Sequence, residues 1–235
     1  MIKEFKLISK KQLTYNVFEL VFVTDYILNF KAWEFITFIL DDIGWRAYSI
    51  LRCNWNKITL IIKKREVIDG WRWGSKYICE MKVWDILKWI WPAWKFTLRE
   101  KSNNKLFIWT WTWFVPLYSM INYWLKKIDW NFFFLFWVRK TDDLFCLDEL
   151  SKLSKKYINF NFQIYISREK DLLDIELKYK DICINSWYTT NYLVSDNLKK
   201  YNEVYICWAH SMINSTLKKL SKIWFLEENI FYEKY

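Results

Sequence analysis

Residues 105–116 read Lys-Leu-Phe-Ile-Trp-Thr-Trp-Thr-Trp-Phe-Val-Pro. Lys105 to Ile108 is a buried-strand run, and Pro116 opens a helical stretch that continues to Lys127. A strand that passes through a tight turn into a helix is the first half of a βαβ unit. Turns of this kind bind phosphate, because the helix N-terminus offers N–H donors and positive potential. That chemistry needs glycine, so that bare backbone can approach a pyrophosphate. With glycine at 109, 111 and 113 the segment reads KLFIGTGTGFVP and suits the task. With tryptophan, three indoles fill the space the phosphates need, and any left-handed backbone is costly.

The composition carries the same tension through the whole chain. Glycine averages about 7% of residues, or about 16 in a chain of this length. There are 3 glycines and 18 tryptophans among 235 residues, and together they make an ordinary glycine count. The tryptophans also sit at glycine-like places, Trp55 in Asn54-Trp55-Asn56 and Trp130 in Asp129-Trp130-Asn131. Both triplets read as turns once the tryptophan is glycine. Trp91-Pro92-Ala93-Trp94 puts bulky rings where a strand should end. The expectation is that most of these positions are glycine in the living protein. Some bacterial lineages decode UGA as glycine, and a table that reads UGA as tryptophan would print this sequence. Lysine outnumbers arginine 29 to 7, as in an AT-rich gene. The other reading is a Trp-rich binding module with exposed ring platforms, which has no need of rings at turns. Trp124, inside a helical stretch, is a place where a genuine tryptophan fits.

Outward from residue 105 the chain has two textures. Residues 1–98 alternate apolar and polar in short runs, such as Val17 to Val23, Phe35 to Leu40, Ile58 to Ile62 and Lys95 to Leu98. That pattern predicts antiparallel strands closed into a small barrel or sandwich, with one short helix from Ser75 to Lys82. Residues 105–235 alternate buried strands with helices. The strands are Lys105–Ile108, Phe132–Trp137, Phe160–Ile166 and Glu203–Cys207, and the helices are Pro116–Lys127, Leu147–Lys156 and Ser211–Ile223. Strand–helix alternation predicts a parallel sheet with crossover helices. The polar run Arg99 to Asn104 marks the boundary.

The net charge is +10, from 36 basic and 26 acidic side chains, which suits an acidic partner. No apolar run reaches the roughly 18 residues of a membrane helix, so no membrane insertion is expected. The start, MIKEFKLISKK, lacks the apolar stretch of a signal peptide. The cysteines at 53, 79, 146, 183 and 207 form no CxxC pair, so no metal centre is expected. Scattered and odd in number, they read as free thiols in a reducing cytoplasm.

Six motifs follow one another in order: Arg46-Ala47-Tyr48-Ser49; Gly70 to Ile78; Trp91-Pro92-Ala93-Trp94-Lys95-Phe96; Thr110 to Pro116; Cys207-Trp208-Ala209-His210-Ser211-Met212; and the near-terminal Glu233. With glycine at 91, 94, 111, 113 and 208 the chain resembles the ferredoxin/flavodoxin–NADP reductase family along nearly its whole length. The family pattern is RxYS, a Gly-rich turn with Ser, GPxGxF, GTGxxP, CGxxxM and a late glutamate. The chain departs from it at Arg72, which stands in place of a glycine.

The resemblance implies an antiparallel FAD-binding β-barrel over 1–98 and a Rossmann-like parallel-sheet NAD(P)-binding domain over 105–235. Arg46 would fork onto the FAD pyrophosphate, as a planar guanidinium can. Ala47 and Tyr48 would line the flavin, and Ser49 would hydrogen-bond near the atom that receives hydride. Trp73 (as glycine), Gly74 and Ser75 would take the second phosphate, and Lys63 the ribityl chain. Thr112 and Tyr235 would complete the FAD contacts. Thr110, Trp111, Thr112, Trp113, Pro116, Trp208 and Met212 would contact the nicotinamide nucleotide, and Arg139 would add a further contact. Ser167 and Arg168 resemble the family's site for the 2′-phosphate of NADP(H), although NAD(H) users share the pattern. Cys207 would shape the nicotinamide pocket, and Glu233 would assist proton or electron exchange at the flavin edge.

The activity so implied is hydride transfer between NADP(H) and FAD, and single-electron exchange with an acidic ferredoxin or flavodoxin. No nucleic-acid partner is implied. A flavin reductase or the flavoprotein subunit of a larger complex is the alternative. A dihydroorotate dehydrogenase electron-transfer subunit should carry a late cysteine cluster, and no cysteine follows Cys207.

Overall fold

The computed structural model describes residues 3–32, 34–66, 73–93, 98–99, 102–208 and 210–234. The chain divides into two compact units, Met1–Thr97 with Val115–Met120, and Leu98–Phe114 with Ile121–Tyr235.

In the first unit the strands are β1 (Lys3–Gln12), β2 (Val17–Val23), β3 (Phe35–Leu40), β4 (Gly44–Ser49), β5 (Arg52–Asn54), β6 (Lys57–Lys63) and β7 (Ile86–Ala93). They form one antiparallel sheet in the order β4-β3-β7-β1-β2-β6-β5. β4 and β5 are its two edges, yet only Ile50 and Leu51 separate them in the chain. The three backbone steps from Ser49 to Arg52 reach at most about 11 Å, so the sheet must curl until its edges come close. The link shows this directly. Ile50 donates to Glu34 O at 3.2 Å beside β3, and Leu51 donates to Thr59 O at 2.9 Å on β6. The alternate residues Phe5, Leu7, Leu20, Phe22, Ile36, Phe38, Leu60 and Ile62 fill the interior. Helix α1 (Gly74–Glu80) packs Ile78 and Cys79 onto that core.

From residue 98 on, the chain forms β8 (Asn104–Thr110), α2 (Phe114–Trp124, of which 115–120 are grouped with the first unit), β9 (Asn131–Val138), α3 (Leu147–Lys156), β10 (Phe160–Ile166), α4 (Leu173–Lys178), β11 (Cys183–Asn185), α5 (Ser195–Leu198), β12 (Glu203–Trp208), α6 (His210–Lys222) and β13 (Ile230–Lys234). Short 3-10 turns at Trp111–Trp113 and Thr141–Asp143 follow β8 and β9. The sheet order is β11-β10-β9-β8-β12-β13, and every neighbouring pair is parallel. β8 and β9 are buried almost without alternation, as strands covered on both faces are. Phe107, Trp109, Phe134 and Phe136 interlock across them, with Trp109 and Phe134 ring centroids 4.0 Å apart, edge to face.

The chain leaves β8 toward β9 and leaves β12 toward β13, on the other side. With right-handed crossovers the following helices take opposite faces. The strand order therefore reverses between β8 and β12, and open α/β sheets bind ligands at the carboxyl ends of the strands at such a switch point.

Helix α3 and strands β2, β3 and β10 fall on the residues expected. β7 runs through Trp91 to Ala93, where a turn was expected. Most of the Lys95–Leu98 strand lies outside the described residues. Strands β11 and β13 and helices α4 and α5 were not anticipated. Among the described residues, no helix is long and apolar enough to cross a membrane.

Candidate functional site

In the first unit, β4, the end of β6 and the start of α1 come together. Helix α1 lies along β6: Arg65 N–H donates to Ser75 Oγ at 3.3 Å, Lys64 pairs with Glu80 at 2.9 Å, and Lys76 pairs with Glu66 at 3.2 Å. This brings Gly74 against Arg46. A Cβ built on Gly74 would stand 2.6 Å from Arg46 Cγ and 2.9 Å from both Cδ and Nε. Only a residue without a side chain lets the arginine lie there.

The Arg46 Nη1 donates to Trp45 O at 2.6 Å, while Nη2 is buried without a hydrogen-bond partner. A buried guanidinium nitrogen left unpaired is costly, so the position fits an anionic ligand. The second phosphate contact implied by the sequence, Gly74-Ser75, therefore adjoins the first, Arg46.

The neighbours on β4 are less committed. Tyr48 packs on the core, its ring 6.1 Å from that of Phe38. Burial, helped by Cys79 and opposed by the Arg46 charge, pushes its phenol well above the usual range, so it stays neutral. Ala47 is exposed, and Ser49 stands opposite Phe35 at the end of the strand. Trp73 precedes α1 and is exposed, and Lys63 ends β6 opposite Val17. Gly70 to Arg72, Trp94 to Phe96 and Tyr235 lie outside the described residues.

In the second unit, the expected residues gather at the carboxyl ends of the strands. Thr110 is fully buried and donates from Oγ1 to Trp137 O at 2.7 Å, which ties the end of β8 to β9. Its hydroxyl proton is thus committed to holding the turn. The segment Trp111–Trp113 forms a 3-10 turn, and Trp113 has φ −64. The φ of Trp113 is negative, so backbone strain is not the objection to a tryptophan there. Helix α2 has no side-chain cap, and Pro116 sits within its first turn.

Cys207 is fully buried on β12, in register with Trp109 of β8 and Glu233 of β13. Met212 packs against the hydrophobic core. Beyond β9 and β10 the ladder continues: Ser167 N–H donates to Val138 O at 3.2 Å, and Arg168 N–H to Arg139 O at 2.9 Å. Arg139, Ser167 and Arg168 are thereby brought to one edge. The Ser167 Oγ is buried without a partner, a hydroxyl suited to a ligand oxygen.

Glu169 directly follows the Ser167-Arg168 pair singled out in the sequence, whereas Asp143, the other organiser of this edge, escaped the sequence reading. Glu169 accepts the Thr141 N–H at 2.9 Å, and Asp143 accepts the Lys140 N–H at 3.2 Å. The signal was the polar cluster Lys140-Thr141-Asp142-Asp143 directly after a buried strand, which is N-cap chemistry.

No family model and no curated protein matches this chain. Solved structures do. The flavohem-like FAD/NAD-binding domain of a nitric oxide dioxygenase from Vibrio cholerae superposes with TM-score 0.80 at 16% identity, covering 99% of this chain and 98% of that one. A ferredoxin NADP+ reductase from Neisseria gonorrhoeae, solved with FAD and NADP bound, gives 0.76 at 15%, covering 99% and 98%. Phthalate dioxygenase reductase, described as modular for electron transfer from pyridine nucleotides to [2Fe-2S], gives 0.76 at 13%, covering 99% of this chain and 68% of that one. The chain has the two-unit fold of the ferredoxin–NADP reductase type, an antiparallel barrel-like sheet followed by a parallel α/β unit.

Proposed function

We propose that this chain is a flavoprotein oxidoreductase of the ferredoxin/flavodoxin–NADP reductase kind. The first unit holds FAD, the second holds NADP(H), and electrons pass to or from a small acidic ferredoxin or flavodoxin. The observation that carries this reading is Arg46 laid over Gly74 with Nη2 buried and unpaired. A pyrophosphate oxygen would answer that nitrogen, and the bare Gly74 backbone leaves room for the arginine stem that carries it.

FAD, when bound, supplies a ring that accepts two electrons with hydride and returns them singly. The chain's residues bind and orient. Arg46, Gly74 and Ser75, with Trp73, hold the phosphates. Ala47 and Tyr48 line the ring, and Tyr48 stays neutral because it is buried. Ser49 would offer a hydroxyl to the ring nitrogen, and Lys63 would reach the ribityl chain.

In the second unit, Ser167 Oγ and Arg168 receive the 2′-phosphate, and Arg139 adds positive charge. Thr110 fixes the turn through which Trp111, Thr112, Trp113 and Pro116 meet the dinucleotide. Cys207, Trp208 and Met212 bound the nicotinamide side, and Glu233 exchanges protons. The preference for NADP(H) over NAD(H) rests on the unpaired Ser167 hydroxyl. The +10 charge steers an acidic carrier. All five cysteines are free thiols, which suits a reducing cytoplasm.

The test is an FAD titration of the protein and of its Arg46→Ala variant, followed by flavin fluorescence. Loss of a charge-assisted hydrogen bond costs about 1.5–3 kcal/mol, so the variant should bind roughly 10- to 150-fold more weakly. Equal affinity in the two proteins would refute the assignment.

A further inference from the structure

Five described residues other than glycine have positive φ: Asp42, Trp55, Trp84, Cys146 and Trp224. Tryptophan is 18 of 235 residues in the chain but 3 of these 5. Asparagine and aspartate visit this region readily, whereas a bulky ring does not. Each of the three tryptophans also occupies the glycine position of a different, well-defined turn.

Trp55 begins the two-residue loop of the β5–β6 hairpin, between the paired Asn54 and Lys57, with φ 56. Asn56 does not share the positive φ. That is the pattern of a type II′ turn, which takes glycine first. Trp84 is the third residue of the turn Lys82 to Asp85, closed by Asp85 N–H to Lys82 O at 3.1 Å, with φ 83. A type II turn requires about +80° there, hence glycine.

Trp224 follows α6 with φ 60. Phe225 N–H donates to Leu220 O at 3.1 Å, and Trp224 N–H to Ser221 O at 3.1 Å. This pair of bonds is the Schellman motif, whose left-handed residue is usually glycine. The rings are largely exposed, Trp55, Trp84 and Trp224 at 73%, 66% and 90%, and the Lys6 ammonium 5.8 Å from the Trp84 ring centroid is a surface contact.

We infer that glycine stands at 55, 84 and 224 in the protein as its own ribosomes make it, through a codon that those ribosomes decode as glycine. None of the three is among the residues assigned to FAD or NADP(H), so the inference stands apart from the cofactor reading. Its consequence reaches that site, however. Where the same codon specifies 111 and 113, the turn after β8 loses its bulky side chains and exposes bare backbone beside the N-terminus of α2.

Peptide masses of the protein isolated from its native cells decide the matter. Glycine at 55, 84 and 224 is the expected result, and tryptophan at any of the three overturns the inference. A recombinant pair gives a physical check that needs no native source. The triple variant Trp55→Gly, Trp84→Gly, Trp224→Gly should show a higher denaturant midpoint than the unaltered chain, because three strained turns relax. A lower midpoint would mean that the rings stabilise these turns, and would overturn it too.

Discussion

Arg46 and Gly74 form a pair in which each explains the other. The arginine stem occupies the volume a side chain at 74 would need, with only 2.6 Å between Arg46 Cγ and the place of a Cβ. Gly74→Ala should therefore displace the guanidinium and weaken FAD binding about as much as Arg46→Ala, while circular dichroism stays unchanged. An alanine variant that binds FAD normally would show that the arginine does not need this path. The sequence singled out both residues by motif. Their contact was not legible, because it depends on how β6 and α1 fold back on one another.

Buried thiols give a second prediction at this scale. Burial pushes Cys79 up to about 12, and burial with the nearby Glu34 charge pushes Cys53 to about 11. An unfolded cysteine ionises near pH 8.5, so the folded values are raised. The stabilisation from neutral, buried thiols is complete below about pH 8.5 and is lost as pH climbs through the folded values. The urea midpoint should hold steady to about pH 8 and decline above it, and less steeply in a Cys79→Ala variant. Identical alkaline slopes would contradict this.

Among elements, the amino edge of the parallel sheet holds an ion pair that no local pattern announced. Lys105 and Glu203 lie 98 residues apart in the chain, yet Lys105 Nζ donates to Glu203 Oε2 inside the protein. The same ammonium donates to Arg99 O at 2.8 Å and lies 4.4 Å from the Trp130 ring centroid. The Tyr205 hydroxyl donates to Glu203 at 2.9 Å and accepts the Arg99 N–H at 2.9 Å. Burial lowers the Lys105 pKa and the carboxylate opposes that shift.

Removing one member leaves the other charged and unanswered. Lys105→Met should therefore cost about 3–5 kcal/mol in a denaturation curve, and Lys105→Met with Glu203→Leu should recover much of it. A double variant as weak as the single would show that the network stabilises through more than charge pairing. The strand containing Lys105 was legible as a buried run, and α3 and β10 were legible to the residue, because their periodicity is unbroken. Strand β11, three residues long, and β13, which depends wholly on β12, carry too little local pattern to be seen.

For the whole molecule, the two textures of the sequence correspond to two architectures, antiparallel in the first unit and parallel in the second. The net charge belongs to this scale as well. If +10 steers an acidic carrier, electron delivery to a ferredoxin should slow severalfold as salt rises and the Debye length shrinks to a few ångströms. A rate indifferent to salt would remove the acidic carrier from the account.

The central claim is that this chain joins a flavin to a nicotinamide nucleotide. It is tested most directly by the visible absorbance spectrum of the natively made protein, supplied with FAD, before and after anaerobic NADPH. The account predicts flavin bands that bleach when NADPH is added. A folded protein that stays colourless, or one whose flavin bands ignore both NADPH and NADH, would contradict it.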